Sequence, residues 1–141
     1  LETNPWTIGS LIEALLKLGP TELERKQACH TITTTLETNP WEINYIIEVL
    51  LILNPTEPER KQARHTITTA LALETNPWTI GSLIEALLKL DPTEPERKQA
   101  RHTITTTLPH ADSRVLYHLV GLLRQLCPVH NWLSALGIEG T

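Results

Sequence analysis

The sequence predicts an all-α fold: an α-solenoid of four antiparallel helix pairs with a divergent C-terminal capping repeat. Three observations predict it. The six residues LETNPW stand at 1–6 and return at 36–41 and 73–78. The repeats that they open run 1–35, 36–72 and 73–107, with a degenerate fourth at 108–141. Each full repeat pairs an apolar stripe at helical spacing with a second capped segment, and a proline separates them. A period of about 35 residues has room for two helices and two turns, which cannot bury an apolar side alone and must stack.

The first helix of each repeat has a clear start. Asn4, Asn39 and Asn76 suit the N-cap. Pro5, Pro40 and Pro77 follow at the first helical position, where a missing N–H leaves nothing unpaired. Glu42 sits three residues after Asn39, a capping-box spacing. Ile8, Leu11, Ile12, Leu15 and Leu18 then recur at helical period. The helix is expected to stop at Gly19-Pro20, Asn54-Pro55 or Asp91-Pro92, because the residue before proline resists the helical region.

The second helix starts at Thr21, Thr56 and Thr93, each followed three residues on by Glu24, Glu59 or Glu96. Its end is β-branched: His30-Thr31-Ile32-Thr33-Thr34-Thr35 leans toward a strand on propensity alone. Ala28, Ile32 and Leu36 keep helical spacing, so the segment is read as helix held by its neighbours. In repeat four, Asp112 or Ser113 caps a helix through Leu126, and a short last helix is expected from Pro128 to Gly137. Divergence there suits a cap whose outer face meets water. No equivalent cap precedes Leu1, and the chain has no Met. Both lead to the expectation of upstream residues in a longer protein, or of end-to-end association.

Paired antiparallel helices, proline-marked turns and near-identical units resemble HEAT-like or tetratricopeptide-like repeat proteins. The tetratricopeptide spacing is not met: Gly9 follows Trp6 too soon, and no aromatic follows in the second helix. HEAT-like repeats fit better. NPW-started pairs are similar to arrays in large bacterial signalling proteins, where they lie beside an NTPase module. The resemblance implies a scaffold or sensor array, and this chain carries no Gly-rich phosphate loop.

Composition narrows the function. Of 141 residues, 40% are hydrophobic and 20% charged, which suits a folded soluble domain. A net charge of −4 gives no general pull toward nucleic acid or an anionic membrane. No apolar run is long enough to cross a membrane. Cys29 and Cys127 lie at non-equivalent positions, so a disulfide framework is not read and a cytoplasmic setting is the default. No catalytic constellation stands out, because near-identical repeats spread polar groups evenly whereas catalysis needs different groups at one spot.

The expected role is therefore protein or peptide binding without cofactor or metal, and the candidate contact residues come from comparing the repeats. Repeat two replaces Thr7, Ser10, Ala14 and Lys17 by Glu42, Tyr45, Val49 and Ile52, all on one helix face. Tyr45, Val49 and Ile52, with Glu42 and Asn44 at the rim, make an apolar patch of the kind that marks interaction sites. The competing reading has this face packed against a neighbouring helix. A second class of function is self-association into a homo-oligomer, through the uncapped end or this patch.

Other recurring groups have plainer readings. Trp6, Trp41 and Trp78 are expected to wedge one repeat against the next rather than stack bases. His30, His65 and His102 would stand about 10 Å apart at helix-packing distances, too far for one zinc ion. Cys127 with His130 lacks a second well-spaced pair. The repeated arginines and lysines suggest a basic ridge, but the glutamates of the same turns neutralise most of it.

Overall fold

The computed structural model describes residues 5–38 and 42–127 of the chain. Asn4, Asn39, Trp41, His130 and the short helix expected at 128–137 lie outside the described residues. Every regular element among those described is helical. They are α1 (Pro5–Lys17), α2 (Glu22–Thr38), α3 (Ile43–Ile52), α4 (Glu57–Leu73), α5 (Pro77–Leu88), α6 (Glu94–Thr107) and α7 (Ser113–Leu126), with a 3-10 turn at Leu108–His110 before α7.

The caps form as the residues dictate. The Asn76 side chain accepts hydrogen bonds from the N–H groups of Trp78 (2.9 Å) and Thr79 (3.3 Å). Asp112 does the same for Arg114 and Val115. At Thr93 the backbone N–H donates to Glu96 at 2.7 Å and the hydroxyl accepts from the Glu96 N–H at 3.4 Å, so the capping box is complete. Thr21 and Thr56 make the same reciprocal pair with Glu24 and Glu59. Glu42 gives no side-chain cap to α3.

The turns between helix partners share one backbone device. Gly19, Asn54 and Asp91 all take positive φ, at 69°, 53° and 55°. The chain thus stops each helix with a left-handed residue just before proline, and uses the three residue types that tolerate this conformation best.

The threonine-rich segments are helical. Thr31, Thr33, Thr34 and Thr35 each donate the hydroxyl to the carbonyl four residues back, at 2.9–3.1 Å. Thr66 and Thr103 repeat the contact. The hydroxyls are therefore satisfied inside the helix, while Ile32 and Leu36 are buried beside them.

The chain divides into two compact units, Leu1–Thr66 and Ile67–Thr141, whose boundary falls inside α4. In the first, α3 packs against both α1 and α2. In the second, α7 packs against both α5 and α6. Glycine makes the closest approach possible in each. A Cβ on Gly9 would collide with the Tyr45 hydroxyl, and one on Gly81 would lie 2.8 Å from Cδ2 of His118.

Setting Tyr45 on Gly9 beside His118 on Gly81 aligns the first helices of all four repeats. Leu11, Ala14 and Leu18 of repeat one then correspond to Ile46, Val49 and Leu53. They also match Leu83, Ala86 and Leu90, and finally Leu119, Leu122 and Leu126. This seam is buried in repeats two, three and four. In repeat one it is open: Leu11 is 59% exposed and Leu18 81%.

Candidate functional site

The residues singled out from repeat two do not form one open patch. Tyr45, Ile46 and Val49 line a small internal cavity with Ile8 and Gly9 of α1 and Ile32 and Thr35 of α2. Val49 is buried. The Tyr45 ring is half-buried and stacks on Trp6, with centroids 4.1 Å apart. Glu42 and Asn44 are half-buried, and Asn44 Oδ1 is buried with no hydrogen-bond partner. Ile52 is exposed at the open edge of α3. The physical reason is the width of the buried face. Helix α3 meets two helices at once, so its covered arc extends beyond the stripe of Ile43, Ile46, Ile47, Leu50 and Leu53 to take in Tyr45 and Val49.

The tryptophans span neighbouring first helices without being enclosed. Trp6 meets Tyr45, and Trp78 lies 6.4 Å from the His118 ring. Both indoles keep more than half their surface open.

The recurring arginines pair with glutamates of neighbouring turns, and several of them also close helix ends. Arg25 donates to the last-turn carbonyl of Leu53 at 3.4 Å and to both carboxylate oxygens of Glu59, at 3.0 and 3.2 Å. It also pairs with Glu22 at 2.8 Å. In the second unit Arg97 donates to the Gln125 carbonyl at 2.9 Å, and Arg101 to the Leu126 carbonyl at 3.1 Å. These carbonyls end α3 and α7, where the helix itself supplies no partner and a cation is favoured. Arg64 is buried and reaches Glu57 at 2.8 Å. The recurring arginine thus latches one repeat to the first helix of the next within each unit.

Electrostatics follow this wiring. Burial alone would raise the Glu59 carboxyl, but hydrogen bonds from Arg25 and from Thr56 outweigh it and hold it below its ordinary range. Burial pushes the Cys29 thiol up to about 11, so it stays protonated at neutral pH. Cys127 is also buried and its thiol is raised, again chiefly by burial. His30, His65 and His102 are all exposed.

A groove not anticipated from the sequence lies between α5 and α7. It has a volume of about 530 Å³. Leu88 and Leu122 give it an apolar floor, and Glu85, Lys89, His118 and Gln125 supply charges and amides around it. His118 Nε2 sits 3.3 Å from Glu85 Oε2. Tyr117 stands at the rim, 85% exposed. Repeat four is degenerate in sequence, so comparison among the three good repeats carried no signal for this place. The clue was available in α7 itself, where Tyr117 and His118 stand at the positions of Gly9 and Ser10. The lining holds no serine, threonine or cysteine, so His118 and Glu85 have no such nucleophile to activate there. The groove offers contact with an apolar segment bearing hydrogen-bonding groups.

Among the described residues, no helix is long and apolar enough to cross a membrane. No three of their His, Cys, Asp and Glu side chains come together as a metal site. Comparison of the chain with protein-family profiles, curated proteins and solved structures finds no match.

Proposed function

We propose that the chain is a helical-repeat module of the α-solenoid, HEAT-like kind, that it binds a protein or peptide, and that it has no catalytic role. The observation that carries this reading is the groove between α5 and α7, with its leucine floor, rim charges of both signs and exposed Tyr117. Grooves of several hundred Å³ with an apolar floor and a few polar groups suit a short segment anchored by one or two apolar side chains. An exposed tyrosine gives large contact area with little rotamer entropy to lose. Ile52, open on α3, extends the contact candidates to the first unit, together with the half-buried Glu42, Asn44 and Tyr45, while Val49 is covered by α1 and α2.

The test is selection of peptides from a displayed random library against the purified chain, followed by amide chemical-shift mapping with the tightest binder. The expected shifts cluster at 85–89 and 117–125. Tyr117→Ala is expected to weaken binding by about tenfold or more, the scale of an aromatic anchor. Shifts confined to other surfaces, or binding indifferent to Tyr117→Ala, overturn the groove as the site.

A further inference from the structure

We propose that the groove between α5 and α7 is a seat for a tyrosine. An acidic, helical segment of a partner protein lays a phenol ring over Gly121 and sets its carboxylates toward Arg114 and Arg124. The inference rests on the proposed peptide groove and names the chemistry of what enters it.

Gly121 stands inside α7, where glycine costs helix stability relative to alanine. Nothing within the chain asks for a glycine there: a Cβ would meet no atom within 4 Å. The other two glycines of the described helices are different. Gly9 lies under the Tyr45 ring and Gly81 under the His118 ring. Each lets a ring from another helix rest directly on backbone. Gly121 offers the same bare backbone to the groove that it lines.

Its surroundings repeat those of the two filled seats. Helix α1 reads Trp6-x-x-Gly9-x-x-x-Glu13, and α5 reads Trp78-x-x-Gly81-x-x-x-Glu85. Helical spacing sets the ring, the glycine and the carboxylate on one face. Trp6 stacks on the seated Tyr45 with centroids 4.1 Å apart, and Glu85 Oε2 lies 3.3 Å from Nε2 of the seated His118. Helix α7 carries the pattern as His118-x-x-Gly121-x-x-x-Gln125, and all three residues line the groove. This is not the position through which repeats stack. There the glycine aligns with Tyr117, so α7 has a side chain in the way. Gly121 comes one turn later and shares the groove with Glu85, Leu88 and Lys89 of α5.

Two features choose the occupant. The first is the amide. The seat of His118 ends in the carboxylate of Glu85, whereas the open seat ends in Gln125, whose neutral amide both donates to and accepts from a phenol hydroxyl. The second is charge. Helix α7 carries Arg114 and Arg124 and no Asp or Glu, in a chain of net charge −4. Both arginines are exposed, two turns before Gly121 and one turn after it. Glu85, the carboxylate of the lining, already faces His118. A segment with acidic residues around its ring therefore complements this surface. A second copy of this chain does not. Antiparallel pairing that lays Tyr117 of each on Gly121 of the other also brings Arg114 of each against Arg124 of the other.

The probe is a synthetic peptide of about 15 residues, an alanine-rich helix with one central tyrosine and glutamates one and two turns to either side. Titration calorimetry should find binding in the micromolar range. Replacing the tyrosine by alanine, or the glutamates by lysines, is expected to weaken it by about tenfold or more. Gly121→Leu should raise the melting midpoint of the chain and still weaken binding by about tenfold or more, because it improves the helix while filling the seat. If that side chain lowered the midpoint, Gly121→Ala gives the same reading with a single methyl. Arg114→Glu should weaken the glutamate peptide and tighten the lysine peptide. No binding of the tyrosine peptide at about 1 mM overturns the proposal. Binding indifferent to the Gly121 variants overturns the seat, and indifference to the lysine exchange overturns the acidic partner. In each of these cases, peptides from the random library that still shift 85–89 and 117–125 keep the groove as a peptide site, whereas shifts elsewhere remove the groove itself.

Discussion

Gly9 shows how much one hydrogen can decide. Its missing side chain admits the Tyr45 hydroxyl, and α3 sits against α1 at that point. Gly9→Ala is expected to destabilise the chain by about 1–2 kcal/mol, overpacking outweighing the better helix propensity of alanine. In a Tyr45→Ser background the same change is expected to stabilise by up to about 1 kcal/mol, since only the propensity gain remains. Urea denaturation of the four variants in that cycle checks the change of sign. Arg25 is the second decisive residue, because it joins Glu22, Glu59 and the end of α3. The Glu59 carboxyl is held below its ordinary value of 4.5 in the folded chain. Its contribution is therefore present above that value and is lost as the pH falls through the lowered one. Glu59→Gln is expected to cost about 1–2 kcal/mol at pH 7. Its deficit should shrink on acidification below pH about 4.5. Equal deficits at pH 7 and pH 3 would rule out the pair as the cause.

At the scale of the element, caps and turns were legible because their chemistry is local. Thr93 with Glu96, Asn76 with Pro77, and Asp112 all sit within a few residues of the groups they satisfy. Thr93→Ala is expected to cost about 1 kcal/mol, read as a lower melting midpoint. The left-handed turns are legible only in part. Proline announces where the helix stops, but the positive φ at Asn54 comes from the structure. Asn54→Gly should stabilise by a few tenths to about 1 kcal/mol, and Gly19→Ala should cost about as much. Loss of stability in Asn54→Gly would show that the asparagine side chain contributes more than its backbone strain costs. The threonine-rich ends of α2, α4 and α6 needed a non-local reason to be read as helix. Propensity alone argues for strand, and the outcome is helix because hydroxyls such as those of Thr33, Thr66 and Thr103 find a carbonyl one turn back while the isoleucines are buried.

Over the whole molecule, identical sequences behave differently. Leu11 and Leu83 occupy the same place in identical helices, one open and one fully buried. Leu83→Ala is expected to cost about 2–5 kcal/mol through the cavity it leaves, whereas Leu11→Ala in the monomer should cost less than about 0.5 kcal/mol. Comparable losses at the two sites would mean that α1 is covered in solution even when the chain is dilute. The contact residues chosen from repeat two suffered from the same blindness. The sequence showed that Tyr45 and Val49 break the repeat on one helix face. It did not show that α3 is covered on two sides, so the choice between an exposed face and a packed one rested on the tertiary structure, which covers Val49 and leaves Ile52 open.

The amino-acid order by itself determined the helices, their caps, their proline stops and the positions that are apolar at helical period. Each of these depends on neighbours within about one turn, and that information travels along the chain. Only the tertiary structure decided which apolar seam is closed and which is open. It also decided which helix-end carbonyls the arginines reach, and that Tyr117 and His118 come to lie over Glu85 and Leu88 to make a groove. Those outcomes depend on which surfaces meet, and identical residues in two repeats acquire different surroundings when different helices lie beside them.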